Sequence, residues 1–311
     1  MSSFLNLFGK TPLTRRRALW GLLLIAPNTI GLFLFFGWPI LQSFRLSFYE
    51  WNAFNTPRFV DIENFQRLYD DPMFRKALTN TLKLVGFVVP LEMGLSLSLA
   101  LLLNQRLRGR ILFRTIYFLP VVTSTVAASI VWAFVFQRRY GLMAAALEPF
   151  GYGDLNWLVD PDLVLFPIVV VTVWQRIGFD MVLFLAGLQN VPRVLHEAAM
   201  IDGANRWQRF RHVTLPMLSP TTFLILTLAT ISSFQIFDQV YIMTSRTIRG
   251  GVGGSARTLS LYLYESGFGQ SSDYGYASAI AFILFMIILG ITILQLIAQR
   301  RWVYYETESG E

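Results

Sequence analysis

Six long apolar runs dominate this chain, and their lengths constrain its fold more than any other feature. A helix needs about 20 mostly apolar residues to cross the hydrocarbon core of a bilayer, and every run is at least that long. Because backbone groups cannot hydrogen-bond to lipid, each run must be helical inside the membrane. The sequence therefore predicts an all-α membrane protein with six transmembrane helices, at about 18–41, 77–103, 111–136, 163–188, 221–244 and 277–298.

The amino-acid composition supports a membrane protein. Only 14% of the residues are charged and 54% are hydrophobic, whereas soluble domains carry about 25% charged residues. The chain has no cysteine, so it can form neither a disulfide nor a thiolate metal site, and no metal is expected. The predicted organisation is an N-terminal segment 1–17, a transmembrane domain 18–299 and a tail 300–311.

Arginine and lysine are unevenly distributed between the two sides of the predicted domain. One side carries 14 cations and five acids, a net charge of +9, and the other carries ten cations and eleven acids, a net charge of −1. Because cytoplasmic loops are enriched in Lys and Arg, both termini and the loop 189–220 are predicted to be cytoplasmic. The positive charge is spread over several short loops, which argues against a nucleic-acid partner.

The loop 189–220 has a distinct local pattern. Pro192 suits the first turn of a helix, because its missing N–H is one of the donors that a helix start leaves unbonded. Gly203 can adopt positive φ and so end that helix. A second short helix is predicted at about 207–214, before Pro216. The loop is therefore predicted to be a short helix, a turn and a second short helix.

The same loop carries a spaced motif, which runs from Glu197 to Pro216. It resembles the EAA loop of the membrane subunits of binding-protein-dependent ABC importers, E-A-A-x-x-D-G-A-x-x-x-x-x-F-x-x-I-x-L-P, with Val213 in place of the usual isoleucine. Other stretches, among them 94–104 and 114–120, are similar to the maltose-type, sugar-importing branch of these permeases. The motif positions are Glu197, Ala198, Ala199, Asp202, Gly203, Ala204, Leu215 and Pro216.

The resemblance implies a type I ABC importer permease fold, with a coupling helix in the loop that docks into a separate ATPase. The eight motif residues would then couple the chain to ATP hydrolysis. The implied partners are a second, homologous permease subunit, two ATPase subunits and an extracytoplasmic solute-binding protein, in the cytoplasmic (inner) membrane of a bacterium or archaeon. ATP and magnesium would bind to the ATPase subunits, so the chain is expected to hold no cofactor and to be no enzyme by itself.

Five charged residues lie inside the predicted helices, namely Lys83, Glu92, Arg176, Asp180 and Asp238. Ionisable groups at this depth cost several kcal/mol when unpaired, which makes them functional candidates. Arg176 and Asp180 are four residues apart on one helix and are predicted to pair with each other. Glu92 is predicted to pair with a cation on a neighbouring helix. An ion pair that only fixes helix packing is the alternative interpretation.

A polar stripe is predicted on the fifth helix, where three polar residues at positions i, i+3 and i+4 would share one face. Aromatic rings and amides lie at comparable depth on the third and fourth helices. Rings that stack on C–H groups, together with amides and carboxylates that bind hydroxyls, suit a polyhydroxylated solute. Interfacial or packing aromatics are the alternative. The predicted substrate path is Trp132, Trp174, Gln175, Gln235, Asp238 and Gln239.

Two other functional classes remain open from the sequence. An ion-gradient-driven secondary transporter would have two repeated halves with discontinuous helices, and no convincing repeat is visible. An intramembrane metalloenzyme would carry H-E-x-x-H within the bilayer, whereas both histidines lie in the loop 189–220. The solute itself is open between a sugar, a sugar alcohol and a glycerol-phosphate diester.

Overall fold

The computed structural model describes residues 12–52, 54–105, 108–245, 248–269 and 272–304. Within these ranges, five helices are long and apolar enough to cross a membrane, and a sixth span results if one sharply bent pair of helices is counted together. Apart from two strands of two residues each, the regular structure described is helical. The prediction of an all-α membrane protein is confirmed.

The first transmembrane helix comprises α1 (Pro12–Leu32) and α2 (Trp38–Leu46), joined by a π-helical turn. A short antiparallel hairpin follows, formed by β1 (Tyr49–Glu50) and β2 (Arg58–Phe59). The other helices are α3 (Glu63–Asp70), α4 (Pro72–Leu103), α5 (Arg110–Phe118), α6 (Thr125–Val135), α7 (Leu142–Leu147), α8 (Leu165–Gln189), α9 (Arg193–Ile201), α10 (Arg206–Arg209), α11 (Leu215–Phe234), α12 (Asp238–Thr244), α13 (Leu259–Phe268) and α14 (Tyr274–Trp302).

Helices α4 and α8 pack along each other at the centre of the bundle. Leu84 and Val88 of α4 belong to the same buried cluster as Ile168 and Val171 of α8. Close approach of the backbone also matters, as in many membrane bundles. A Cβ at Gly178 on α8 would lie 2.0 Å from the carbonyl oxygen of Tyr117 on α5, so only glycine fits there. The α4–α8 pair is therefore the frame on which the bent helices are arranged.

The first helix is the most exposed part of the bundle. None of the most apolar window of Arg16–Leu46 is buried within the chain. Its α2 portion packs on α14, with the rings of Phe44 and Phe282 4.7 Å apart between centroids. The apolar surface of this helix is thus left open to lipid or to other chains.

The third predicted span, 111–136, is not one straight helix. Its two halves, Arg110–Val122 and Thr125–Val135, meet at an angle of 99°. The chain turns at Thr123, whose backbone is extended, and Ser124 then caps α6 by accepting a hydrogen bond from the Ala127 amide. A run of apolar residues predicts burial in a membrane, but it does not show where a proline and a hydroxyl cap divide the helix.

The fifth predicted span, 221–244, is also wrong in its bounds. The helix that contains it begins at Arg206 and ends at Phe234, and α12 starts separately at Asp238. The predicted short helix 207–214 is therefore not separate, because α10 continues through a π-helical turn into α11. Pro216 lies in the first turn of α11, where its missing N–H does not end the helix.

At the bundle end opposite the loop 189–220, Asp71 joins three helices. Its side chain caps α4 by accepting from the Met73 amide at 2.8 Å, and it also accepts from the hydroxyls of Tyr262 on α13 and Tyr276 on α14. Partial burial raises the pKa of Asp71, but these hydrogen bonds outweigh it, so the pKa lies below its usual value of 3.8. The ionised carboxylate therefore holds α4, α13 and α14 together.

Asp71→Ala is expected to destabilise the purified protein by about 2 kcal/mol, because the helix cap and two hydrogen bonds to a charged acceptor are lost. For a chain of this size the melting temperature would fall by roughly 4–8 °C. The check is thermal unfolding in detergent, with Asp70→Ala at the adjacent exposed residue as the control.

Asp71→Asn keeps a capping oxygen but removes the charge. Because the folded pKa is lowered, the carboxylate stabilises the protein at neutral pH, and this contribution disappears as the pH falls below about 4. The stability gap between wild type and Asp71→Asn should therefore close in acid. A gap that widens in acid would contradict this assignment.

Candidate functional site

The loop 189–220 is built from α9 and α10 with a tight turn between them. Helix α9 ends before Gly203, whose φ of +79° is the left-handed conformation that glycine adopts readily. Asn205 and Gln208 then form a capping box, in which each side chain bonds the other residue's amide, at 2.9 and 2.8 Å. The predicted first helix and the positive φ of Gly203 are thus confirmed, whereas the capping box was not predicted.

The surface of this loop combines an exposed acid with exposed apolar side chains. Glu197 is exposed, and it forms no ion pair with any residue that the structure describes. Ile201 and Val194 are 86% and 71% exposed. Exposed apolar groups beside an unpaired charge, outside the apolar helices, are typical of a protein-docking surface.

Most motif residues line two small clefts in the loop. One cleft, of about 360 Å³, is lined by Ala199, Asp202, Gly203 and Ala204, among others. The other, of about 310 Å³, includes Ala198, Ala199, Asp202 and Pro216. Leu215 is half-buried at the start of α11, and Glu197 lies outside both clefts. Because Ala199 and Asp202 line both clefts, the two clefts adjoin and form one continuous surface. Among the described residues, no group of three His, Asp or Glu side chains could hold a metal ion.

A separate, partly open cavity of about 320 Å³ lies between α6, α8 and α12, and it is called the polar cavity because several polar side chains line it. Gln175 on α8 lies at its centre and donates hydrogen bonds from Nε2 to the Thr125 hydroxyl at 3.0 Å and to the Thr123 carbonyl at 3.3 Å. Gln239 on α12 donates to Oε1 of Gln175 at 3.5 Å. The cavity is lined by Val121, Thr125, Gln175, Arg176, Phe179 and Gln239.

The cavity lies where two helices are interrupted. The bend between α5 and α6 brings Thr125 to it, and the gap between α11 and α12 brings Gln239. Groups that an unbroken helix would satisfy find other partners, since the hydroxyls of Ser260 and Thr258 donate to the carbonyls of Phe234 and Ile236. Irregular backbone at membrane depth is tolerated where it is buried in protein or lines a cavity. The helix breaks therefore form the polar cavity.

A charged cluster adjoins the cavity. Nε of Arg176 lies 2.8 Å from Oε1 of Glu92 on α4, which confirms that Glu92 pairs with a cation on another helix. The predicted pair of Arg176 with Asp180 is wrong: no salt bridge is recorded between these two residues, and Arg176 pairs with Glu92 instead. Asp180 is buried one helical turn along α8 from Arg176. Glu92 and Asp180 are both fully buried, whereas the Arg176 side chain is 31% exposed.

The remaining residues of the predicted path are more scattered than expected. The polar stripe is not one continuous face, because α11 ends at Phe234: Gln235 is exposed, Asp238 is half-buried and Gln239 is buried. Trp132 and Trp174 contact each other at 5.4 Å between ring centroids. Trp174 also lines a largely apolar groove of about 1,090 Å³ between α4 and α8, not the polar cavity.

Sequence reasoning missed Val121, Thr125 and Phe179 as cavity residues. Their position depends on the 99° bend, which places α6 across α8. The available signal was Pro120 followed by Thr123 and Ser124, a proline and hydroxyl pattern typical of a helix end and a new helix start.

Several curated proteins are similar over nearly the full length of the chain. A probable ABC transporter permease protein of Bacillus subtilis is 35% identical over 297 residues, covering 94% of each chain. The trehalose/maltose transport system permease protein of Thermococcus litoralis is 35% identical, covering 90% of this chain and 94% of its own. The lactose transport system permease protein of Rhizobium radiobacter is 36% identical with the same coverage.

A similar fold occurs in solved structures. A chain of a bacterial ABC transporter that imports the acidic polysaccharide alginate superposes with a TM-score of 0.79 at 24% identity, covering 92% of this chain and 96% of that chain. This likeness confirms the predicted type I ABC importer permease fold.

The family assignment rests on a match to most of the chain. The model of the binding-protein-dependent transport system inner membrane component matches residues 93–303. Components of such systems are transport proteins, which decides against both an enzyme and an ion-gradient-driven secondary transporter. The chain belongs to the family of inner membrane components of binding-protein-dependent transport systems.

Proposed function

We propose that this chain is the permease subunit of an ABC importer for a sugar or a related polyhydroxylated solute. The observation that carries the proposal is the exposed loop 189–220, whose unpaired Glu197 and shaped motif surface need a protein partner. The solute class is supported by similar proteins, which are named for trehalose and maltose, lactose and arabinooligosaccharides. A solute of this class also suits a cavity with two amide side chains.

The proposed partners follow from this role. Two ATPase subunits bind ATP and Mg²⁺, so the chain itself needs no cofactor, and one of them receives the loop 189–220. A second, homologous permease subunit completes the path, and an extracytoplasmic binding protein delivers the solute. A solved alginate transporter whose chain has the same fold was captured with a periplasmic protein that holds a pentasaccharide, which supports the last assignment.

A continuous helix supplies the mechanical link in this proposal. The helix from Arg206 to Phe234 has 29 residues, which corresponds to about 43 Å at 1.5 Å per residue. One end is the second half of the loop, and the other ends beside Gln239 and the polar cavity. When ATP closes the ATPase dimer, the docked loop moves, and the helix carries that motion to the cavity as a rigid element.

The solute path in this proposal passes through the polar cavity. Gln175 and Gln239 offer amide donors and acceptors there, and Asp238 and Gln235 lie at the adjoining helix break. Trp132 and Trp174 support the cavity from the other side of α8. The residues are proposed to have different roles. The two buried amides contact the solute, and the two tryptophans hold the helices in place.

The proposed location is the cytoplasmic membrane of a bacterium or archaeon, with the loop 189–220, segment 1–17 and tail 300–311 in the cytoplasm. Single cysteines can test this, because the chain has none. Tyr140→Cys and Ile201→Cys replace side chains that are 89% and 86% exposed at opposite ends of the bundle. A membrane-impermeant thiol reagent applied to intact cells should label the first and miss the second, and the reverse pattern would contradict the orientation.

The proposed assembly can be tested directly. Purifying a tagged form of the chain from its native membrane in mild detergent should recover an ATPase subunit and a second permease, identified by mass spectrometry. Glu197→Lys should reduce the recovered ATPase and leave the second permease in place. Recovery of the chain without any ATPase would argue against the proposal.

A further inference from the structure

The three charged groups beside the polar cavity are two acids and one cation, so their charges do not cancel if all three are ionised. Glu92 and Asp180 have no exposed surface. Of these two acids, only Glu92 forms a salt bridge with Arg176. One oxygen of Glu92 and both oxygens of Asp180 accept no hydrogen bond from a donor group that the structure describes. Two ionised acids here would leave a net negative charge buried in a low-dielectric region, which is strongly unfavourable.

A shared proton removes this cost. Two carboxyl groups that are buried close to one cation cannot both ionise readily, because like charges repel and burial disfavours each charge. With one proton between them, one carboxyl donates to the other, and the pair carries a single negative charge. That charge is balanced by the Arg176 guanidinium.

The net charge of the cluster determines which solute groups Arg176 can bind in the cavity. Its Nε is bonded to Glu92, and its side chain is partly exposed where it lines the cavity beside Gln175 and Gln239. The guanidinium has further N–H donors in a fixed plane. Because its charge is already compensated, an acid group from a solute would bring an unbalanced charge into the site, whereas a hydroxyl would not.

We propose that Glu92 and Asp180 share one proton, so that the cluster is electrically neutral and Arg176 acts in the cavity as a hydrogen-bond donor for an uncharged solute. The proposal rests on the function proposed above and narrows its solute class: neutral sugars and sugar alcohols are accepted, and uronates and phosphodiesters are rejected. Glu92 and Asp180 act through Arg176 and are positioning residues.

The charge of the cavity can be measured without transport. Val121→Cys introduces a unique thiol on the cavity wall. In membranes that contain the whole complex, the rates at which this thiol reacts with an anionic and a cationic methanethiosulfonate are compared. Their ratio is divided by the ratio for 2-mercaptoethanol, an uncharged thiol, in water. A neutral cavity should give a value within about threefold of one, because one unit charge about 10 Å away would shift it by roughly tenfold or more.

The variant Asp180→Asn then tests whether Asp180 shares a proton with Glu92. If Asp180 shares a proton, replacing it with a neutral amide leaves the charge and the rate ratio unchanged. If both acids are ionised, the same variant removes one negative charge and shifts the ratio toward the anionic reagent by at least tenfold. The double variant Glu92→Gln with Asp180→Asn should produce such a shift, because Arg176 is then uncompensated.

Each outcome decides for or against the proposal. A large initial preference for either charged reagent, a tenfold shift with Asp180→Asn alone, or no shift in the double variant would each overturn it. If the double variant fails to assemble, the proposal is still tested by the rate ratios of Val121→Cys alone and of Val121→Cys combined with Asp180→Asn. Because labelling needs no uptake, failure here is distinct from failure of the proposed importer function.

Discussion

Glu197→Lys is expected to reduce solute-stimulated ATP hydrolysis of the reconstituted complex to its unstimulated level. Glu197 is exposed on α9 and has no ionic partner among the described residues, so its role depends on another chain. A carboxylate that docks against a cation in a water-excluded interface forms a strong, charge-assisted hydrogen bond. Lysine at this position replaces attraction by like-charge repulsion, which costs several kcal/mol in an interface.

Gly203→Val should have the same effect for a different reason. Nothing lies within 4 Å of a Cβ placed at Gly203, so the substitution creates no clash, but a β-branched residue at φ of +79° is strained. The strain would shift the turn between α9 and α10 and misplace the docking surface. Gly203→Asn is the matched control, since asparagine tolerates the left-handed conformation.

Both loop variants should be recovered in the membrane at normal levels, because neither residue is buried in the bundle. Gln208→Ala is not a neutral control, since Gln208 belongs to the capping box. Glu148→Lys, at an exposed acid near the opposite end of the bundle, is the suitable charge-reversal control. Full stimulation in both Glu197→Lys and Gly203→Val would show that this loop does not couple the subunits.

Gln239→Leu is expected to lower uptake at limiting solute concentration by about tenfold, with the complex intact. Gln239 is 9% exposed, lines the polar cavity and is held near Gln175 by a weak hydrogen bond of 3.5 Å. Leucine keeps the approximate volume and removes the amide. A lost hydrogen bond to a solute hydroxyl costs about 1.5 kcal/mol at the upper end of the usual range, which is about tenfold.

The chain offers a matched control for this substitution. Gln295 on α14 also donates its amide to a hydroxyl, that of Thr230, at 3.0 Å, and it does not line the cavity. Gln295→Leu should therefore affect stability and leave the apparent KM for solute unchanged. Gln235→Leu tests whether the exposed half of the predicted stripe belongs to the path. Normal uptake by Gln239→Leu would exclude a solute contact at this residue.

The sequence predicted the helices well where one physical requirement dominated. Spans 77–103, 163–188 and 277–298 agree with α4, α8 and α14 to within a few residues, because length and apolarity alone decide whether a helix crosses a bilayer. The first half of the loop was also predictable, since a glycine that ends a helix with φ of +79° depends on local sequence alone. The second half was not, because Pro216 lies in the first turn of a helix that it was expected to precede.

The interior of the bundle was less predictable, because it depends on which helices meet. Glu92 and Arg176 are far apart in the sequence, so local spacing favoured Arg176 with Asp180 instead. The i, i+3, i+4 rule holds only within an unbroken helix, and the interruption after Phe234 divided the stripe. Both errors concern residues near the cavity, where irregular backbone serves function at the cost of local regularity.

Uptake in proteoliposomes shows whether ATP hydrolysis, coupled through the loop 189–220, drives import. The complex is reconstituted with ATP inside or absent, with the binding protein outside, and with ionophores that remove all ion gradients. Uptake is expected to require internal ATP, to persist with ionophores and to disappear in Glu197→Lys, although the two permease subunits stay assembled. Uptake that proceeds without ATP, collapses with ionophores and is unaffected by Glu197→Lys would contradict it.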